Sequence, residues 1–396
     1  MERVSGRGWG WYIKTLSGND TLLNGSHQAG PYITKDLVFG LFPSIAIARS
    51  LNPRLTFPVA IDSHSEETSA TAIWYNNHLV GSGTRNECRV TGWGGGSSPL
   101  LDPESTGSLC VFAFHQQDGK DCDQCRVWLC SSVEEEDELQ SRVGAVEPGK
   151  PLFLDSSGSL TISAASPGQS PSDPCQPGLT DLPYAWRSAF PEPPDLVAFA
   201  VERLPSLSSV SPDHRLIRRR ECEFAMFRTI EENIVLPRIR SAFQSVNQFV
   251  EYANSVTNRR KARSGVSLEL HAKSIFDEQG LEYSYDEVSE GRKRPDFLFP
   301  SAKAYRNRRF PTNRLHMLAV KTTCKDRWRQ ILNEADRVKE KHLLTLQEGV
   351  SLNQFREMRS ADVTLVVPSG LHRTYHPKVR RHLLSLSAFM QRVAET

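Results

Sequence analysis

Over the first 150 residues apolar and polar positions alternate in short bursts. Trp11-Tyr12-Ile13-Lys14, Ala70-Thr71-Ala72-Ile73-Trp74-Tyr75, Leu109-Cys110-Val111-Phe112-Ala113-Phe114 and Val127-Trp128-Leu129-Cys130 are rich in aromatic and β-branched residues, with glycine-rich breaks such as Gly92-Trp93-Gly94-Gly95-Gly96. This pattern predicts short strands between turns, in a small barrel or sandwich. Residues 155–194 are dominated by Ser, Pro and Gly and bury too little to order themselves, so an interdomain linker is expected there. From residue 195 the period lengthens. Ala225 to Phe249 has a helical rhythm interrupted near Pro237, and Ser267 to Gln279 reads as a helix stopped by Gly280. Strands are expected at 296–299, 315–320, 342–346 and 363–367, with helices at 328–341, 351–359 and 377–395. Alternation of this kind predicts an α/β sheet covered by helices.

With 38% hydrophobic and 24% charged residues in 396, the chain has an ordinary globular composition. No apolar run approaches a membrane span and no signal-peptide core follows Met1, so a cytoplasmic protein is expected. Eight irregularly spaced cysteines argue against a disulfide framework. The net charge of +2 hides an asymmetry: residues 1–150 carry 12 Lys and Arg against 18 Asp and Glu, and the remainder 36 against 28. The C-terminal part is therefore the better candidate for a polyanion-binding surface. The acidic run Glu134-Glu135-Glu136-Asp137-Glu138 reads most simply as a solvated loop, although it could also repel DNA or dock on the basic half. Cys122 and Cys125 supply one arm of a zinc ribbon without a second.

Polar groups stand where the α/β core should be apolar. Glu269 shares a helix with the inward-facing Ala272, Ile275 and Phe276; Asp296 opens an apolar strand; Lys321 ends another; Glu334 falls in the helix expected after it. Singly, each reads most simply as a surface or turn residue. Jointly, carboxylates that bind Mg²⁺ as hard oxygen ligands and a lysine that orients the attacking water are the parts of phosphodiester hydrolysis.

Arg294-Pro295-Asp296 followed by Lys321 and Glu334 resembles the permuted active-site pattern of the PD-(D/E)xK restriction endonucleases that cut around CCGG-like cores. Ser255-Val256-Thr257-Asn258-Arg259-Arg260-Lys261, Pro295 to Ala302, Leu318 to Asp336, Gly25-Ser26-His27-Gln28, Thr84-Arg85-Asn86-Glu87 and Asp102 to Gly107 narrow the likeness to the EcoRII-like type II enzymes of the two-site (IIE) kind.

The resemblance implies an α/β restriction-endonuclease-like catalytic domain, a mixed sheet flanked by helices, over residues 195–396. It also implies a mainly β DNA-binding pseudobarrel over 1–154, with the 155–194 linker between them. It further implies a Mg²⁺-dependent bacterial homodimer that cuts both strands at 5′-CCWGG-like sites by in-line displacement, leaving 5′-phosphate and 3′-hydroxyl ends. A second copy of the site would act as allosteric effector, and a cognate cytosine methyltransferase would act on the same sites. Glu269, Asp296, Lys321 and Glu334 become the catalytic set, with Asp296, Glu334 and Glu269 on the metal and Tyr305 as neighbour. Ala319 occupies the usual acidic slot of the E-x-K pair, and Glu334 replaces it.

Base reading falls on Lys325, Asp326, Arg327 and Arg329, since Arg fits guanine O6 and N7 and Asp accepts from cytosine N4. Phosphate contacts are expected from Arg218-Arg219-Arg220, Arg259-Arg260-Lys261-Ala262-Arg263, Arg292-Lys293-Arg294 and Arg306-Asn307-Arg308-Arg309. Effector binding falls on His27, Tyr32, Arg85, Glu87 and Arg89, while Gly83 and Cys88 stand where lysines would be expected. A DNA-binding regulator without catalysis, a nuclease of related but different specificity and a structure-specific repair nickase remain as alternatives. The residues also leave the central base pair open, W or S, because deformability can decide it.

Overall fold

The computed structural model describes residues 8–25, 30–80, 83–117, 119–154, 160–161, 174–205, 209–241 and 243–395. Two sheets organise them. The first holds β1 (Trp9–Thr15), β2 (Arg54–Ile61), β3 (Glu66–Tyr75), β4 (Glu87–Thr91), β5 (Leu109–His115), β6 (Gln124–Leu129), β7 (Leu152–Leu154) and β8 (Leu160–Thr161), in the order β4-β3-β2-β6-β5-β1-β7-β8. All pairs are antiparallel except β2 with β6. The sheet curls as a half-barrel. Its concave core is aromatic: Tyr12, Phe57, Trp93, Phe112 and Phe114 are buried together. Burial of side chains this large stabilises by about 1.5–3 kcal/mol each. Helices α1 (Lys35–Leu41), α2 (Pro43–Ile47) and α3 (Asn77–Val80) fill the connections, and α4 (Val133–Val143) follows β6.

The acidic run lies in α4, not in a loop. Ser132 caps its N-terminus, where Glu134, Glu135 and Glu136 suit the positive end of the helix dipole. Glu136 is buried and accepts from the Leu109 amide at 3.0 Å, so part of the run is structural.

The second sheet has the order β13-β12-β11-β10-β9, from β9 (Ser284–Tyr285), β10 (Phe297–Phe299), β11 (His316–Val320), β12 (Lys341–Leu344) and β13 (Val363–Val366). β11, β12 and β13 are parallel, and β10 runs antiparallel to β9 and β11, which makes the sheet mixed. Successive side chains serve opposite faces. Leu298, Met317, Ala319, Leu343 and Leu365 join one core, whereas Phe297, Phe299, Leu318, Val320, Leu344 and Val366 join the other.

Among the described residues, the α-helices that accompany this sheet are α5 (Pro193–Arg203), α6 (Pro212–Arg240), α7 (Val246–Glu278), α8 (Ala302–Arg306), α9 (Leu352–Ser360), α10 (Pro377–Arg380) and α11 (Leu386–Ala394). The helix expected over Ser267 to Gln279 is the end of the much longer α7. Gly280 at φ +65° ends it, with the Leu281 amide returning to the Phe276 carbonyl. Pro237 does not break α6, because it lies in the last turn, and the chain reverses after Arg240 instead.

Two expectations change at residues 174–194. Leu182 is buried, and Trp186 and Phe190 pack with Leu196, Phe227 and Ile230 of α5 and α6. The Ser/Pro/Gly composition of the preceding stretch masks these apolar anchors. Cys175 is joined to Cys222 of α6 by a disulfide, and six cysteines are free. Among the described residues no helix is long and apolar enough to cross a membrane.

Candidate active site

The antiparallel register of β10 with β11 pairs Phe297 with Leu318, which continues to put Asp296 beside Ala319 and Val320. The Val320 amide donates to Asp296 Oδ2 at 2.6 Å, and Lys321 Nζ lies 3.5 Å from the same oxygen. The start of one strand and the end of the next thus set a carboxylate and an ammonium side by side. Lys321 is tied to the sheet interior, its amide donating to the Leu344 carbonyl at 2.9 Å.

Glu269 reaches this point from α7, whose Leu268, Ala272, Ile275 and Phe276 are buried against the sheet. Tyr285 on β9 donates its hydroxyl to Glu269 Oε2 at 3.1 Å. Burial, with the Asp296 charge beside it, pushes the Glu269 carboxyl up to about 7. Sequence reading missed Tyr285, because a lone tyrosine on a two-residue edge strand carries no pattern.

Glu334 does not sit within a helix. Residues Arg327–Asn333 form a 3₁₀ helix, and Glu334 is its C-cap, in extended backbone. The buried Trp328, Ile331 and Ala335 have spacing that suits an α-helix as well, which explains the sequence expectation. Burial and the Asp296 charge push the Glu334 carboxyl to about 7, against Lys321 and Lys341. Its Oε2 is buried with no hydrogen-bond partner. Tyr305 lies in α8, donates to Glu290 and accepts from the Arg337 amide at 3.1 Å; it braces the segment after Glu334 rather than touching Lys321 or Asp296.

Among the described residues no cluster of three or more His, Cys, Asp and Glu side chains is arranged to hold a metal ion. The donor set nevertheless suits a hard divalent cation. Carboxyls held up to about 7 by burial and by Asp296, one with an orphaned buried oxygen, are the groups a cation would neutralise. Cys122 and Cys125 are core residues, and burial pushes the Cys122 thiol up to about 12, away from the thiolate that binds zinc.

Glu269 and Lys321 line a cleft of about 330 Å³ whose other wall is Asp137, Gln140 and Ala145 of α4 and its following turn. A larger cavity of about 820 Å³, beside Phe190 and Arg259, contains none of the four site residues, so chemistry rather than size selects the smaller one. The N-terminal half grips the segment Lys325–Arg329 directly. Arg327 pairs with Asp137 at 2.7 Å, and Lys325 Nζ donates to Ser108. Arg329 turns to Asp326 at 2.9 Å and Glu357 at 2.5 Å. The docking alternative for the acidic run is therefore the one the geometry favours.

Several cations assigned to phosphates are occupied internally. Arg219 pairs with Glu278 at 2.6 Å, and Arg220 with Glu147 at 2.9 Å. Arg263 bridges Glu223, at 2.8 Å, and Glu147. Arg260 pairs with Glu231 at 2.6 Å, and Lys293 with Asp336 at 2.8 Å. Arg219, Arg220 and Arg263 are buried, each matched to a carboxylate as a buried charge must be. Charge runs alone do not reveal that a helix face is turned inward.

On the far sheet, Glu87 and Arg89 share the outward face of β4, and Arg85 just before it pairs with Glu87 at 2.5 Å and stacks on Tyr75 at 3.7 Å. Arg89 lies 3.2 Å from Glu87, and Tyr32 is exposed. His27 lies outside the described residues. Cys88 points into the core, so a lysine there would not have joined this face, whereas Gly83 is exposed. Lys35, bonded to Asn86 at 2.6 Å, is a nearby cation that sequence reading passed over.

Comparison with known proteins follows the same division. Residues 5–157 match the family model "Restriction endonuclease EcoRII, N-terminal" and residues 227–390 match "EcoRII C terminal". The chain is 45% identical over 382 residues to the type II restriction enzyme EcoRII of Escherichia coli, covering 96% of this chain and 92% of that one. Similar solved structures include metal-depleted Ecl18kI with uncleaved, modified DNA (18% identity, TM-score 0.44, 52% of this chain and 78% of that one). The PspGI–substrate DNA complex is another (15% identity, TM-score 0.44, 52% and 95%).

Proposed function

For this chain, which belongs to the EcoRII family of type II restriction endonucleases, we propose a Mg²⁺-dependent homodimer that makes double-strand cuts at 5′-CCWGG-like sites in the bacterial cytoplasm, opposite a cognate cytosine methyltransferase. The observation that carries the reading is the convergence of Asp296, Lys321, Glu269 and Glu334 at one end of β10 and β11, under α4.

Asp296, Glu334 and Glu269 would hold the cation, which supplies Lewis-acid polarisation of the phosphodiester. Lys321, fixed beside Asp296, orients the attacking water for in-line displacement. The cleft wall keeps bulk solvent from one side. Arg327 and Arg329, with Lys325 and Asp326, read the G and C edges once free of their present partners.

Residues 1–154 act as effector module, with Tyr32, Arg85, Glu87, Arg89 and His27 on a second copy of the site, and residues 195–396 as nuclease. In the described arrangement the module suppresses cleavage, because Asp137 holds Arg327 and α4 walls the cleft. Effector binding is the event that lifts it. The test is cleavage of a one-site duplex with and without a second, uncleavable CCWGG duplex added in trans. Stimulation by the specific duplex and not by a scrambled one is expected; equal rates would refute the effector role.

A further inference from the structure

The strand that should carry the second acidic ligand offers none: Ala319 is fully buried on β11. The replacement, Glu334, is the C-cap of a 3₁₀ helix, its amide making the last helical bond to the Ile331 carbonyl at 3.0 Å, and is followed by Ala335 at φ +50°, a conformation that a residue with a Cβ adopts only when held. A carboxylate on such a segment needs an external anchor. The carbonyls at a helix C-terminus also have no partners of their own.

We propose that Lys341 is a positioning residue of the active site, fixing the turn that aims Glu334 at Asp296 and Lys321. Its ammonium donates to the carbonyls of Glu334 at 2.5 Å, Ala335 at 2.7 Å and Val338 at 2.7 Å. A lysine has three donors and no acceptor, so its capacity is spent on this one turn. The residue is 6% exposed. Its backbone is equally fixed, because Lys341 opens β12 between β11 and β13, with its amide on the Asp362 carbonyl at 2.9 Å. The turn is therefore tied through one side chain to β12, an interior strand of the sheet, and the same sheet holds Lys321 and Asp296. A displacement of about 1 Å at a catalytic group is enough to cost about a hundredfold in rate. Nothing in the sequence marks this lysine as more than a polar residue between the helix expected over 328–341 and the strand expected from 342.

The inference rests on the reading of Glu334 as a metal ligand, and a double-mutant cycle separates the two. Terbium(III) affinity, read from luminescence sensitised by the protein and competed with Mg²⁺, is measured on the full chain for wild type, Lys341→Met, Glu334→Gln and the double variant, with circular dichroism as the check on folding. Expected are a loss of about 10- to 100-fold for Lys341→Met, as for other supporting residues of metal sites, and no further loss when it is added to Glu334→Gln. Wild-type affinity in a folded Lys341→Met, or the same loss in both backgrounds, would overturn the role of Lys341 alone. Unchanged affinity in Glu334→Gln would overturn the ligand reading and the inference with it. If Lys341→Met does not fold, Lys341→Gln, which keeps an amide donor, is judged by the same criteria.

Discussion

Glu269 and Glu334 both have carboxyls pushed to about 7, first by burial and then by the Asp296 charge. Their folded-state values lie above the ordinary range, so the sign is fixed. Without metal, these two groups favour the folded state most at low pH, and that contribution fades as pH rises through about 7. Cation binding needs the ionised forms, so it strengthens over the same interval and releases protons. Calorimetry of Mg²⁺ binding at pH 6 in buffers of different ionisation enthalpy should give proton release that shrinks by pH 8.5; release independent of pH would refute the coupling. The residue scale was only partly legible in the sequence. Asp296 and Lys321 stood out only jointly, as polar groups opening and closing apolar strands, whereas the Tyr285 contact and the orphaned Glu334 oxygen exist only in three dimensions.

At the scale of elements, α4 is where the expectation and the structure part most. Five acidic residues in a row suggest a solvated loop, but Ser132 caps them into a helix, Leu139 and Glu136 face inward, and Asp137 pairs with Arg327. Asp137→Ala should raise cleavage of one-site DNA about two- to fivefold, the scale of an ion pair worth up to about 1 kcal/mol at a half-exposed position. An unchanged rate would show that the pair does not restrain the enzyme. The buried network behind it works differently: Glu147→Gln would leave Arg220 without its charge partner and Arg263 with Glu223 alone, and should cost about 3–5 kcal/mol in urea unfolding of the full chain. A cost below 1 kcal/mol would contradict full burial of the pair. The α/β rhythm of the second half was readable because strand alternation and the buried face of α7 are local patterns. The 3₁₀ helix was not, since the buried Trp328, Ile331 and Ala335 are spaced as on the face of an α-helix.

At the scale of the whole molecule, the acidic N-terminal half and the basic C-terminal half meet through specific pairs, Asp137 with Arg327 and Glu147 with Arg220 and Arg263, and through Glu104 with Ser351 at 2.6 Å and Asn353 at 2.7 Å. In the sequence the asymmetry pointed to a polyanion surface, and docking of the acidic run on the basic half stood only as one alternative; which arginines it occupies could not be read there. Removing the first half should uncover the cleft and speed cleavage of one-site DNA. The cut belongs at residue 173 and not beyond, because Leu182, Trp186 and Phe190 are part of the core built on α5 and α6. A truncated chain that folds but cuts no faster would refute suppression by the N-terminal half.

Metal-dependent cleavage through Asp296 at CCWGG sites is tested by digestion of a methylation-free plasmid carrying several such sites. Wild type and Asp296→Ala are compared, each with Mg²⁺ and with EDTA. Wild type with Mg²⁺ alone should give discrete fragments ending at CCWGG, and the variant a rate at least about a hundredfold lower, since a lost metal ligand removes several kcal/mol of transition-state stabilisation. Binding to CCWGG without cleavage, or equal cutting by Asp296→Ala, would contradict cleavage through Asp296.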